Sequence, residues 1–249
     1  MRRVIIVQAR MTSTRLPGKV LMDLVGHPML AQQLRRLKRC IAAEEIILAT
    51  TTNATDDPVV ELARQEEVGW FRGSEHDVLS RYVGAAREQR ADVVVRVTAD
   101  CPLIDPEVLD RVVNELTNHR SVCDYASNVE ERTFPRGLDV EAFFFDTLLR
   151  ADRMSCSALT REHVTVAIRA EHPELFARRS VTDSRIGSDL RWTVDTPADL
   201  QLIRTLYKDL GLEARLLNYG EILAYVRAHP ELTQINAGIE TWQPTPSST

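Results

Sequence analysis

Apolar runs alternate with amphipathic, charge-rich stretches along this chain and divide it into strand and helix segments. Residues 4–7 are uniformly apolar with no helical period, the pattern of a strand buried on both faces of a parallel sheet. Residues 45–52 (EIILATTT), 68–71 and 92–97 (DVVVRV) repeat it, with 92–97 as the clearest central strand. Helical periods run between them. Pro28 opens PMLAQQLRRLKRC, with apolar positions at 30, 34, 37 and 41. DVLSRYVGAAREQR, PEVLDRVVNEL and SALTREHVTVAIRAE follow at 77–90, 106–116 and 157–171, then 200–210 and 219–228. Residues 138–143 (LDVEAF) alternate apolar and acidic positions, which predicts a half-exposed strand. Residues 190–195 (LRWTVD) predict a last strand ending at Asp195. Strands alternating with helices give an α/β fold, a doubly wound and mostly parallel sheet.

Turn chemistry accounts for several polar residues. Asp57 and Asp105 each precede a proline and read as helix N-caps. Ser74 and Asp77 form an S-x-x-D capping pair, and Thr196 and Asp199 form another around Pro197. Asp100 and Asp195 have no such duty. Each ends a strand, where an open α/β sheet binds its ligands, and carboxylates there suit Mg²⁺, which takes one or two of them with phosphates and waters.

The first strand ends at Gln8-Ala9, and the next ten residues hold Arg10, Ser13, Thr14, Arg15, Gly18 and Lys19. Cations neutralise phosphate charge, hydroxyls and loop N–H groups donate to its oxygens, and glycine lets the backbone approach. The alternative is a surface loop of solvated charges, against which the place at the carboxyl end of the first strand argues. Neither G-x-x-x-x-G-K-[ST] nor G-x-G-x-x-G is present.

The 249 residues, 44% of them hydrophobic, suffice for one sizeable domain over 1–212, a C-terminal helical extension over 213–242 and a disordered tail over 243–249 (QPTPSST). A net charge of −5 argues against a nucleic-acid surface, so local cation clusters imply local anions. No apolar run approaches the roughly 18 residues of a membrane span, and Arg2-Arg3 precede only a strand. Cys40, Cys101, Cys123 and Cys156 are widely spaced without a C-x-x-C, as in a reduced cytoplasmic protein.

Residues 9–19, A-R-x-x-S-T-R-L-P-G-K, resemble the nucleotide-binding loop of the sugar-acid cytidylyltransferases, which make CMP-Kdo and CMP-sialic acids. TTNATDDP, RGSEHDVLSRY, RVTADCPLIDP and REHVT extend the likeness to about residue 210, nearest the spore-coat polysaccharide branch of that family. The resemblance implies the nucleotide-diphosphosugar transferase (GT-A-like) form of the Rossmann-like sheet. It implies CMP transfer from CTP to a sugar acid with release of pyrophosphate, and a cytoplasmic homodimer. Arg10, Arg15, Lys19 and Asp100 would be catalytic, and Asp100 and Asp195 would hold Mg²⁺. Gln8, Ala9, Ser13 and Thr98 would join Arg10, Arg15 and Lys19 at the nucleotide, as would Ser74, Asp77 and Arg81 if they do more than cap. Arg136, Asp139, Glu141 and Arg161 are candidates for the acceptor, with plain strand alternation as the other account of 139 and 141. Arg161, Glu162 and His163 could equally sit at a subunit interface. Relatives read G-D-E-P-L-I where this chain has Ala99-Asp100-Cys101-Pro102-Leu103-Ile104, so the Asp is kept and the Glu is not. Cys101 is not expected to act as a nucleophile, because phosphoryl transfer of this kind needs no covalent intermediate.

Two other functions compete. A glycosyltransferase on the same fold would hold its metal with D-x-D, but Asp100 is followed by Cys101-Pro102. An inactive nucleotide-binding protein would have no need to keep Arg10, Arg15, Lys19, Asp100 and Asp195 together.

Overall fold

The structure, a computed structural model, describes residues 1–239. The expected tail at 243–249 lies outside the described residues. The strands are β1 (Arg3–Gln8), β2 (Asp23–Leu24), β3 (His27–Pro28), β4 (Glu45–Thr51), β5 (Gly69–Gly73), β6 (Val93–Thr98), β7 (Tyr125–Ser127), β8 (Glu141–Phe144) and β9 (Arg178–Ser180). The helices are α1 (Met29–Leu37), α2 (Asp57–Gln65), α3 (Val78–Glu88), α4 (Pro106–Asn118), α5 (Phe145–Met154), α6 (Ala158–His163), α7 (Pro197–Leu210) and α8 (Tyr219–Ala228).

The described residues form a seven-stranded sheet in the order β5-β4-β1-β6-β8-β7-β9, and a small β2-β3 ribbon. β1 runs parallel to β4 and β6, while β8 is antiparallel to both its neighbours. Alternate residues of β1 enter two cores. Ile5 and Val7 lie with α1, α4 and α7 residues, and Val4 and Ile6 with those of α3 and α5. Helices on both faces explain why residues 4–7 carry no polar alternation: each is at most 1% exposed. The register sets Gln8 of β1 beside Thr98 of β6, so two of the expected site residues end adjacent parallel strands.

The C-terminal helix α8 joins the main core through Tyr219, Ile222, Leu223 and Val226. Asp105 caps α4 as expected, accepting from the N–H groups of Glu107 and Val108, and its other oxygen takes the Tyr219 N–H at 2.6 Å. Among the described residues no helix is long and apolar enough to cross a membrane.

Four expectations need correction. Residues 138–143 do not form a half-exposed strand: the strand begins only at Glu141, where β8 lies inside the sheet between β6 and β7 with every residue buried, and Asp139 before it stays partly exposed. The acidic residue of β8, Glu141, is neutralised within the fold and not by solvent. Residues 190–195 make one isolated bridge, Arg136 to Arg191, and no strand. The helix expected over 157–171 breaks after His163, where Val164 takes φ +51° and ψ −58°. Asp57 does not cap α2; it is the first helical residue and pairs with Arg72, while the buried Asp56 holds the cap position and bonds elsewhere.

Candidate active site

The phosphate-type loop is fixed at two points. The Gly18 N–H donates to the Met11 carbonyl at 2.9 Å, and the Met11 N–H donates to Asp56 Oδ1 at 2.7 Å. Asp56 also accepts from the Thr51 hydroxyl, so the carboxylate at the cap position of α2 anchors the loop and not the helix. Gly18 is required by conformation and not by space. Its φ is +72°, whereas an added Cβ would meet only Met11 Cε at 3.5 Å. That turn drives Lys19 inward, where only 8% of the residue is exposed.

Lys19 Nζ donates to Asp100 Oδ2 at 2.9 Å, Asp195 Oδ1 at 2.9 Å and the Val194 carbonyl at 2.7 Å. All three ammonium hydrogens are thereby used. Burial works against the Lys19 charge, but Asp100 and Asp195 outweigh it and raise its pKa above the ordinary value. The converse holds at Asp100. Burial pushes its carboxyl up, and the Lys19 charge with the Thr98 hydroxyl (2.6 Å from Oδ1) brings it below the usual range. Asp195 takes Arg15 Nη2 at 2.8 Å and Arg191 Nη2 at 2.7 Å besides Lys19. Its place is set by the Thr196–Asp199 capping box at the start of α7. The Val194 N–H donates to the Asp100 carbonyl at 2.8 Å, which ties the two aspartate segments together.

Two chambers meet at this cluster. The larger, about 790 Å³, has Gln8, Ala9, Arg10, Ser13, Arg15, Lys19, Thr98, Asp100 and Asp195 in its wall, together with Thr14, Glu162 and His163. Burial holds the His163 imidazole below its ordinary pKa. The smaller, about 200 Å³, shares Arg15, Thr98, Asp100 and Asp195 and adds Cys101, Arg136, Asp139 and Arg191. Gly137 (φ +103°) lets its two flanks close, since a Cβ there would lie 2.6 Å from the Thr193 nitrogen. Asp139 is held by Arg132 at 2.6 and 3.0 Å. Cys101 is buried, and burial with the neighbouring Asp100 pushes its thiol well above the ordinary value, leaving it a poor nucleophile.

The remaining candidates stand outside both walls. Ser74 Oγ accepts the Asp77 N–H at 3.1 Å, and Asp77 caps α3 by accepting the Ser80 N–H. Arg81 is buried and donates to the Ser74 carbonyl at 2.6 Å. Arg161 pairs with Asp77 at 2.6 Å and Asp152 at 2.7 Å. Glu141 is committed to Arg96, Tyr125 and Thr165. Between them Glu75 faces the loop, accepting from Thr12 at 2.8 Å and Asn53 at 2.6 Å. Sequence reasoning passed over Arg191. Its signal was spacing by two: Arg191, Thr193 and Asp195 all line the small chamber, as one face of an extended segment does.

The chain as a whole is similar to known proteins. A family model described as Cytidylyltransferase matches residues 4–221. The spore coat polysaccharide biosynthesis protein SpsF of Bacillus subtilis is 30% identical over 233 residues, covering 91% of this chain and 94% of that one. A 3-deoxy-manno-octulosonate cytidylyltransferase of Anaeromyxobacter dehalogenans is 28% identical over 238 residues, covering 81% and 96%. A solved cytidylyltransferase from Leptospira borgpetersenii serovar Hardjo-bovis superposes with a TM-score of 0.90 at 32% identity, covering 97% of this chain and all of that one. The chain therefore belongs to the cytidylyltransferase family, as a CTP-dependent nucleotidyltransferase.

Proposed function

We propose that this enzyme transfers CMP from CTP to a hydroxyl of a sugar acid of the octulosonic or nonulosonic kind, releasing pyrophosphate, for cell-surface polysaccharide assembly. The carrying observation is the pair of chambers that share Asp100 and Asp195. The larger is sized and charged for a nucleoside triphosphate. The smaller presents Arg136, which has no ion-pair partner among the described residues and so is available for a carboxylate. Asp139 beside it suits hydroxyl groups. The printed activities of the relatives, an octulosonate cytidylyltransferase and a spore coat polysaccharide protein, support the same reading.

In the reaction an acceptor hydroxyl attacks the α-phosphorus and the P–O bond to pyrophosphate breaks. Catalysis of this kind is positioning plus charge stabilisation. Arg10 and Arg15, each at the cavity wall, neutralise the β- and γ-phosphates as the leaving group gains charge. Ser13 donates to a phosphate oxygen. Lys19 holds Asp100 and Asp195 in place and adds its own charge beside the reacting centre.

Those two carboxylates are hard oxygen donors, and among the described residues no third His, Cys, Asp or Glu joins them. Such a set fits an ion that completes its shell with phosphate oxygens and water, as Mg²⁺ does. Bound there, Mg²⁺ would offset phosphate charge and make the attacking hydroxyl more acidic. The active form is taken to be a cytoplasmic homodimer.

The test is melting in Mg²⁺ with CTP, UTP, ATP, GTP and UDP-glucose, followed by pyrophosphate release with a panel of acceptors. CTP at about 100 times its dissociation constant adds about 2.7 kcal/mol. Selective stabilisation by CTP with turnover on 3-deoxy-octulosonic or nonulosonic acids is the expected result. Turnover on neutral sugars or sugar phosphates alone would overturn the acceptor class.

A further inference from the structure

One wall of the larger chamber is held by buried charge that the reaction above does not use. Glu141, 3% exposed, takes the Tyr125 hydroxyl at 2.6 Å and the Thr165 hydroxyl at 2.7 Å on Oε1, and the Arg96 guanidinium on Oε2. Arg169 Nε lies 3.4 Å away. Burial alone would push this carboxyl up, but Arg96 and Arg169 with the two hydroxyls bring it down to about 2. A carboxylate this deep stays charged only with its partners in place, so it dictates where they stand.

Two of those partners lead back to the chamber. Arg96 Nη2 donates to Gln8 Oε1 at 3.2 Å. A guanidinium has donors only, so Gln8 must give it the carbonyl oxygen and turn its NH₂ the other way. Gln8 lines the chamber, so an NH₂ turned away from Arg96 is placed to meet a ligand there. Thr165 follows the turn at Val164, where a buried β-branched residue is held at φ +51°. The Thr165 N–H closes that turn on the His163 carbonyl at 2.5 Å, which sets His163 in the same wall. Strain of this sort persists where the surroundings over-determine it.

We propose that Gln8 reads the base of the nucleotide, and that Arg96 and Glu141 are positioning residues that lock its amide with the NH₂ toward the ligand. This rests on the cytidylyl-transfer reading. Arg10, Arg15 and Lys19 claim the triphosphate and the Arg136 chamber claims the acceptor, which leaves the Gln8 wall for the neutral ring. Cytosine offers acceptors at O2 and N3, whereas N3 of uracil carries a hydrogen. An NH₂ fixed toward N3 therefore favours CTP and opposes UTP.

Gln8→Glu tests this directly. The variant is isosteric and still accepts from Arg96, but its outward atom becomes an acceptor. Calorimetric affinities for CTP, UTP and pyrophosphate in Mg²⁺, with no acceptor sugar, are the readout. CTP should weaken about tenfold, the worth of one hydrogen bond, and UTP should tighten, with pyrophosphate unchanged. Glu141→Gln should lower the CTP-to-UTP preference in the same direction, again without moving pyrophosphate. A Gln8→Glu protein that shifts CTP and UTP equally, or shifts neither, overturns the assignment while leaving cytidylyl transfer intact. Wild-type protein that binds the two nucleotides equally overturns both readings. Should Glu141→Gln fail to fold, the Gln8→Glu result alone decides the role of Gln8.

Discussion

Replacing Lys19 with alanine removes the charge that stands between Asp100 and Asp195. Both carboxylate oxygens lie 2.9 Å from the same nitrogen, so they are no more than about 5.8 Å apart. At an effective dielectric near 20, two unit charges at that separation repel by about 3 kcal/mol. Arg15 and Arg191 still serve Asp195, but among the described residues the Asp100 carboxylate keeps only the Thr98 hydroxyl and the Cys101 thiol. The Lys19→Ala protein should thus lose about 3 kcal/mol, and melt roughly 6–12 °C lower for a chain of this size. Turnover should fall over ~100-fold, the scale of removing one strong charge stabiliser. Affinity for a divalent cation should move the other way and rise, because the two carboxylates lose their competing ammonium. Calorimetry with Mn²⁺, melting with and without that ion, and pyrophosphate release measure the three effects separately. Near wild-type turnover would refute the reasoning, and so would a variant whose melting point and cation affinity both stay put.

Asp100→Asn keeps the shape and removes the charge, and should also cost over ~100-fold in rate while CTP still raises the melting point. Gly18→Ala must hold φ +72° with a side chain, so it should destabilise by about 1 kcal/mol and raise KM for CTP, read by denaturant melts and steady-state kinetics. Arg136→Met should raise KM for the acceptor by an order of magnitude or more and leave CTP affinity unchanged. Acid unfolding carries a sign. Glu141 is depressed from 4.5 to about 2, so its contribution is full above about pH 4.5 and is lost as the pH falls toward 2. A Glu141→Gln protein should be less stable at pH 7, with a shallower acid transition, by urea melts from pH 2 to 7.

The phosphate loop, the strand-end aspartates and the caps of α4 and α7 were legible because each depends on neighbours in sequence. Glycine at position 18 and proline at the first position of α4 and α7 act locally, and the sheet places strand ends together whatever surrounds them. Glu141 was misread for the opposite reason. Period-two alternation says that one set of side chains differs from the other, but not that a second layer covers both. The groups that neutralise Glu141 come from positions 96, 125 and 165. Asp77 likewise meets Arg161, 84 positions away. The break after His163 was hidden because nothing in valine announces a positive φ; the surrounding packing imposes it.

The three hydrogen bonds of Lys19 also set an order of events during synthesis. The ammonium group emerges early, Asp100 follows, and Val194 and Asp195 come 175 and 176 positions after the lysine. Asn236 comes later still, and its amide holds both the Arg191 carbonyl and Asp199, the residues that steady Asp195. A growing chain therefore displays the loop of residues 10–19 long before the parts that hold Lys19 exist. Until the segment through Asn236 has docked, the contacts that steady Asp195 are incomplete.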